Sequence, residues 1–451
     1  MTTQNNGNDQ KSLTRRDFIK KVGATGVAFG VASAFPVMSA KADLKPIVYG
    51  AALPLGDPTG VEAKRASILA VEEINKAGGI KLPDGKHPVK LVISDSRDLE
   101  PGVPVSEAIL TVERLILKDK ADFIIAGPER SEAWLAAARL SYKYKKIMIA
   151  GPGCVSPRIE ATIAKDPEGK YKYCWKIQID ARSDLKHALG LFGNLKKELG
   201  LNKFYVMIQD VAWTRAAGGA VKKLLSTKLG WECVGLQRYP TGSSDFSLGL
   251  IEAKKKGADM IYMAFEMPQV GILMKQWADL KVPALPIGPM PSAQDEAYWK
   301  VSQGACEYAI PDMFWVGNGP SKVLNPWTER WFKNFTRKWG VEPGQSCGVP
   351  CYISAWAIKD AIERAGSIDS DKVAKAFYTT DLEVPWGKLR FHPKGHDAIV
   401  TNDPKTGMVT MWMQWQSQGV EVMGRHSKRV CVWPPAASVG KIIFPPWANR
   451  A

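Results

Sequence analysis

From Pro46 onward the chain alternates short apolar runs with amphipathic stretches of helical period, and this alternation leaves few folds open. Ile47 to Ala52 is an apolar run of the kind buried on both faces of a parallel sheet, and it ends in a loop punctuated by Pro54, Gly56, Pro58 and Gly60. Ser67, Ala70, Val71 and Ile74 then fall on one helix face, and Gly78-Gly79 stops that helix. The same rhythm predicts strands at Val89 to Ser94, Phe123 to Ala126 and Ile147 to Ala150, with helices at Val105 to Leu117 and Ser131 to Tyr142. It resumes with helix Leu185 to Leu199, strand Phe204 to Ile208, helix Arg215 to Leu229, strand Glu232 to Leu236, helix Leu248 to Lys256, strand Met260 to Phe265 and helix Gly271 to Asp279. Such alternation implies an α/β fold with parallel sheets flanked by helices, and two successive runs imply two lobes. Ligands of open parallel sheets sit beyond the C-terminal strand ends, which marks the loops Leu53 to Val61, Gly127 to Ser131, Gly151 to Pro157, Asp210 to Thr214 and Phe265 to Gln269.

With 451 residues and 45% of them apolar, the chain is long enough for more than one core. The first 42 residues are a different material. Thr14-Arg15-Arg16-Asp17-Phe18-Ile19-Lys20 leads into a weakly apolar run from Val22 to Phe35, and Ala40-Lys41-Ala42 fits a cleavage site. The paired arginines predict a twin-arginine export signal and a periplasmic destination. No later stretch offers the roughly 18 to 20 apolar residues of a membrane span. The formal charge is +16, but the basic residues are interspersed with acids at helical spacing, as in Glu252-Ala253-Lys254-Lys255-Lys256, and read as solvated helix faces rather than a nucleic-acid surface. Seven cysteines in an oxidising compartment permit bridges, Cys154 with Cys174 or Cys347 with Cys351 being the first candidates, while Cys233 falls in a strand. No metal or other cofactor is expected: the five histidines are dispersed, and His392 and His396 flank Pro393-Lys394-Gly395, read as an exposed hairpin turn. The motifs of nucleophile elbows, phosphate loops and dinucleotide sites are missing, so no enzyme activity is expected.

Three stretches carry a family resemblance: Ile47-Val48-Tyr49-Gly50-Ala51-Ala52-Leu53-Pro54-Leu55, Ala70-Val71-Glu72-Glu73-Ile74-Asn75-Lys76-Ala77-Gly78-Gly79-Ile80 and Asp245-Phe246-Ser247, supported by Gly127-Pro128 and Pro152-Gly153. In order and spacing they resemble the leucine/isoleucine/valine-binding family of type I periplasmic solute-binding proteins. The resemblance implies two Rossmann-like lobes, the first from 43–177 plus 290–385, the second from 178–289 plus 386–425, with 426–451 as a tail packing on them. Crossings are expected near Ile177 to Asp180, Gly288 to Pro291 and Pro385 to Leu389. It further implies a monomer that closes on a small molecule and docks on ABC permease subunits in the inner membrane, or a periplasmic sensor of the same fold that regulates a partner without transport.

The site residues carried over by resemblance are Thr59, Ser131, Cys154, Val155, Trp213, Glu266 and Gln269. Ser131 opens a helix, where a hydroxyl and unpaired N–H groups favour a carboxylate, or where it serves as an N-cap. Cys154 and Val155 stand where amino-acid binders carry a small residue and a threonine, so one ligand hydroxyl is missing. Gln269 stands where the family's acid for the ligand ammonium belongs, with Glu266 three residues earlier as a substitute, and Trp213 offers a flat apolar wall. Glu129 and Arg130 flank the same cleft edge and read as an exposed pair, Arg130 having the fork geometry for a carboxylate. These departures widen the expected ligand from a small amino acid to an organic acid or an amide.

Overall fold

The computed structural model describes residues 44–448 except 268, 316, 345 and 346, so the export-signal expectation lies outside the described residues. The first apolar run forms β1 (Ile47–Leu53), buried at every position but Val48. It pairs in parallel with β2 (Val89–Asp95) and β3 (Phe123–Ala126), and β4 (Met148–Ala150) and β5 (Cys174–Lys176) continue the sheet in the order β2-β1-β3-β4-β5. The connections are α1 (Pro58–Lys76), α2 (Val105–Leu117), α3 (Ser131–Tyr144) and the short α4 (Arg158–Ala164). Pro58 at the first helical position and the Asp57 carboxylate accepting from Thr59 N define where α1 begins.

The second run repeats this plan. After α5 (Ala181–Leu199), β6 (Lys203–Gln209), β7 (Glu232–Tyr239), β8 (Met260–Ala264), β9 (Leu285–Gly288) and β10 (Ile310–Pro311) form a parallel sheet in the order β10-β9-β8-β6-β7. Its crossovers include α6 (Ala212–Leu229), α7 (Ser247–Lys255) and α8 (Val270–Asp279). Counted within each run, both sheets have strand order 2-1-3-4-5, so each reverses direction at one place: between β1 and β3 in the first, between β6 and β8 in the second. Each expected strand and helix is present, with ends displaced by up to four residues.

Beyond Pro311 the chain returns to the first core. Met313, Trp315, Trp331, Phe335, Val384, Trp386, Leu389 and Met408 share one buried cluster with Tyr49, Phe123 and Ile149. Here lie α9 (Pro326–Trp339), α10 (Gly348–Ala365), which packs along α1, and α11 (Ser370–Phe377). Past Gly288 to Pro291, β10 still pairs with β9, and Trp386 and Leu389 are buried in the first core. Near the C-terminus β12 (Arg425–Trp433) pairs antiparallel with β11 (Trp412–Val422). Trp412 and Val430 of this hairpin pack into the second core.

Two further expectations are corrected. All seven cysteines are free thiols, six of them buried and Cys233 half-buried in β7, so neither candidate bridge is formed. His396 is not exposed: it is 5% accessible, stacks on Trp175 at 4.2 Å, and hydrogen-bonds Tyr378 Oη at 2.7 Å and the Cys174 carbonyl at 3.0 Å. Both ring nitrogens are satisfied by groups that sequence proximity does not reveal, which makes burial tolerable. His392 does lie at the surface. Among the described residues no helix is long and apolar enough to cross a membrane, and no group of three or more metal-ligating side chains converges.

Candidate ligand site

Each sheet carries a side-chain pair at the place where its strand order reverses, the position at which open α/β sheets bind ligands. In the first sheet, β1 leads to Thr59 and β3 leads to Glu129. Thr59 Oγ1 donates to Glu129 Oε2 at 2.9 Å, and it also lies 2.6 Å from Asp57 Oδ1. Cys347, just ahead of α10, donates its thiol to Glu129 Oε1 at 3.5 Å. The backbone carbonyl of Glu129 accepts from Cys154 N at 2.7 Å, so the loops after β3 and β4 are tied together at this residue. Gly153 permits the approach: a Cβ there would stand 2.4 Å from Glu129 Cγ.

Glu129 keeps some exposed surface, but its carboxyl group is enclosed, and burial pushes its pKa up to about 8. The nearby Asp57 and Asp98 carboxylates push the same way, against the hydrogen bonds from Thr59 and Cys347. At neutral pH the group is mostly a neutral acid. Arg130, expected beside it, turns away to pair with Glu132, and its backbone N–H donates to Asp98 Oδ2 at 2.7 Å.

In the second sheet, β6 leads to Trp213 in the first turn of α6, and β8 leads to Glu266. The indole Nε1 of Trp213 donates to Glu266 Oε2. Gln209, the last residue of β6, fixes this loop: its Oε1 accepts from Glu266 N at 3.0 Å and Met267 N at 3.1 Å, while its Nε2 donates to Thr241 Oγ1 at 2.9 Å. Gln269 stands at the N-cap of α8, and its Oε1 is buried with no hydrogen-bond partner among the described residues.

The other expected site residues are tied into the loops around these pairs. Ser131 is the first residue of α3 rather than its N-cap, which is Arg130, and its Oγ accepts from Ser156 N at 3.2 Å. Cys154 adopts φ +64° and is 2% accessible, with Sγ donating to the Pro128 carbonyl at 3.3 Å. Burial among core residues holds its thiol pKa far above the ordinary range, so it is neither a nucleophile nor an exposed contact. Val155 contributes its carbonyl, which accepts from Ala181 N at 2.9 Å and so links the first sheet's loop to the start of α5. Asp57 and Cys347 are residues of the site that the sequence does not single out for it, and Glu129, expected at the cleft edge in an exposed pair with Arg130, turns inward to Thr59. The Thr59–Glu129 contact spans 70 residues of sequence, and a local reading gave Glu129 to Arg130. Two surface hollows of about 180 and 190 Å³ flank the loop after β1: the first is lined by Leu55, Val61, Ile68 and Trp339 among others, and the second by Asp57 of the site together with Gly56, Arg97 and Pro101 among others.

A sequence model of the family described as "Periplasmic binding protein" matches residues 54–419, most of the chain. A Brucella melitensis protein described as Leu/Ile/Val-binding protein homolog 3 is 25% identical over 370 residues, 81% of this chain and 92% of its own length. Among solved structures, the branched-chain amino acid transporter substrate binding protein of Streptococcus pneumoniae, in complex with isoleucine, superposes with a TM-score of 0.65 at 17% identity, covering 89% of this chain and 100% of its own. A Rhodopseudomonas palustris solute binding protein in complex with benzoate gives 0.63 at 15% identity, covering 88% and 98%. The family match over most of the chain, on two parallel sheets of one topology, places it among the periplasmic binding proteins.

Proposed function

We propose that the chain is the substrate-binding component of a branched-chain amino acid type ABC importer, and that it captures a small molecule between two lobes which close about a hinge. One lobe is built on 44–177 with 313–411 and the other on 181–311. The β11–β12 hairpin reaches both, with Met413 and Cys431 in the first core and Trp412 and Val430 in the second, and the places where the chain passes between them are the hinge. The observation that carries this reading is the paired polar side chains, Thr59 with Glu129 and Trp213 with Glu266, each at the reversal point of its own sheet. A ligand between the lobes meets one pair from each side, and closure is the state an inner-membrane permease recognises.

The first test is a melting-temperature screen of the protein against amino acids, aliphatic and aromatic carboxylates, and amides, since a ligand bound only by the native state raises its melting temperature. Trp213→Ala removes the flat wall and the donor that holds Glu266, so affinity for the best ligand is expected to fall about tenfold or more by calorimetry. Unchanged affinity would remove Trp213 from the site. Export by the twin-arginine route rests on Arg15-Arg16. Lysine at both positions is expected to leave the protein in the cytoplasm, and normal export of that variant would point to another route.

A further inference from the structure

The two walls of the site share a chemical bias. The first presents Glu129 backed by Asp57 and Asp98, and the second presents Glu266. The basic groups nearby are engaged: Arg130 pairs with Glu132, Lys176 with Glu160 at 3.1 Å, Arg182 with Asp180 at 3.5 Å and Arg215 with Asp210 at 3.0 Å. A ligand carboxylate placed between the walls would face acids and meet no uncommitted cation among these groups. The orphan at Gln269 points the same way from an independent side. Its buried Oε1 is an acceptor and calls for a donor, which a carboxylate lacks and an N–H supplies.

We infer that this cleft selects a neutral ligand bearing N–H donors, a carboxamide or a urea, and that Glu129 is its specificity-determining residue. The inference rests on the binding-protein reading above and names the substrate class of that same site. A carboxylic acid in its neutral form has one O–H donor and a carbonyl acceptor side by side, and a carboxamide presents the complementary carbonyl and N–H. Glu129 has both oxygens anchored by Thr59 and Cys347, so its carboxyl plane is fixed before the ligand arrives. Trp213 supplies the face against which a flat amide or urea stacks, with Glu266 accepting a second N–H. Replacing the amide by its isosteric carboxylate puts an acceptor, and a charge, where the wall needs donors.

The test is calorimetric titration of the wild-type protein and of Glu129→Met with acetamide, propionamide and urea, beside acetate, propionate, propylammonium, leucine and benzoate. Wild type is expected to bind an amide or urea at least about tenfold more tightly than the matching carboxylate, because an unpaired buried acceptor and an unpaired charge both count against the latter. Glu129→Met keeps the length of the side chain and removes both the donor and the acceptor, and is expected to narrow that ratio while the protein still melts cooperatively. Should Glu129→Met fail to fold, Asp98→Asn serves as a second variant, since it removes a neighbouring acid without touching Glu129, and the carboxylate penalty is expected to shrink. Carboxylate or leucine binding as tight as amide binding, preferential binding of propylammonium, or an unchanged ratio in the variants would each overturn the inference. Leucine or benzoate binding without any amide binding would do so while leaving the binding-protein reading intact, and silence across the whole panel by folded protein would overturn both.

Discussion

Replacing Arg429 by alanine is expected to lower the melting temperature by about 5 to 10 °C, the largest effect of any single side chain outside the apolar cores. Arg429 is 1% accessible and donates in every direction: to Glu342 Oε2 at 2.6 and 3.2 Å, and to the carbonyls of Gln294 at 2.7 Å, Pro343 at 3.1 Å and Asn318 at 3.3 Å. Glu342 is itself buried, and it also accepts from Ser427 Oγ at 2.9 Å and Arg425 Nε at 3.1 Å. Removing the guanidinium leaves a buried carboxylate short of its main partner and strips a donor from three carbonyls, a loss of about 3 to 5 kcal/mol. Replacing both members of the pair, Arg429→Met with Glu342→Leu, is expected to recover much of that loss, because the cost lies in the stranded charge rather than in the absent bridge. A functional consequence follows from where the network ends. It holds Glu342 and Pro343, upstream of Cys347, whose thiol anchors Glu129, so Arg429→Ala is also expected to weaken ligand binding. A change in melting temperature below about 2 °C would mean that water takes over the role of the guanidinium.

Asp312→Asn is expected to stabilise the protein by about 5 °C at pH 8 and to do nothing at pH 4 to 5. Asp312 lies on the second connection between the sheets, is fully buried, and faces Asp184 in the first turn of α5. Burial pushes Asp312 up to about 7, and burial, with the Asp312 charge next, drives Asp184 well above the carboxylate range. The sign follows directly. Between the unfolded carboxyl pKa near 4 and the raised folded values, the native protein holds protons that the unfolded chain has released, so this pair's contribution to stability is complete at low pH and is lost as pH rises through 7. Glu129, up at about 8, adds to the same slope. Asparagine keeps the acceptor for Phe314 N, which Asp312 Oδ1 now meets at 2.7 Å, and offers Asp184 an amide donor. Thermal denaturation from pH 4.5 to 8 checks the claim, and an equal gain at both ends would show that the pair does not titrate there.

The architecture was readable because its signal is local. A parallel strand buried on both faces is a continuous apolar run, and Phe123–Ala126 and Met148–Ala150 are buried throughout, as their sequence suggests. The β11–β12 hairpin was unreadable for the opposite reason. Its strand Trp412–Val422 buries Gln414 and Gln416, which breaks any alternation of apolar and polar residues. Their amides are satisfied far away, Gln414 by the carbonyls of Tyr308 at 3.0 Å and Ile443 at 2.8 Å, and Gln416 by that of Lys441 at 2.8 Å. The site divides in the same way. Loops after strands could be marked in advance, and Thr59, Trp213, Glu266 and Gln269 fall on them. Glu129 was given to its neighbour Arg130, because the partner that turns it inward, Thr59, is visible only after folding. The sequence points to Cys154 as a lining residue, since nothing in it announces the positive φ with which its side chain enters the core.

Capture by closure is tested by small-angle X-ray scattering of the protein with and without the tightest ligand from the calorimetric panel. Saturation is expected to contract the radius of gyration, and a Trp213→Ala variant at the same ligand concentration is expected to contract less, in proportion to its lower occupancy. A radius of gyration that stays the same in every state, with calorimetry showing full occupancy, would contradict it.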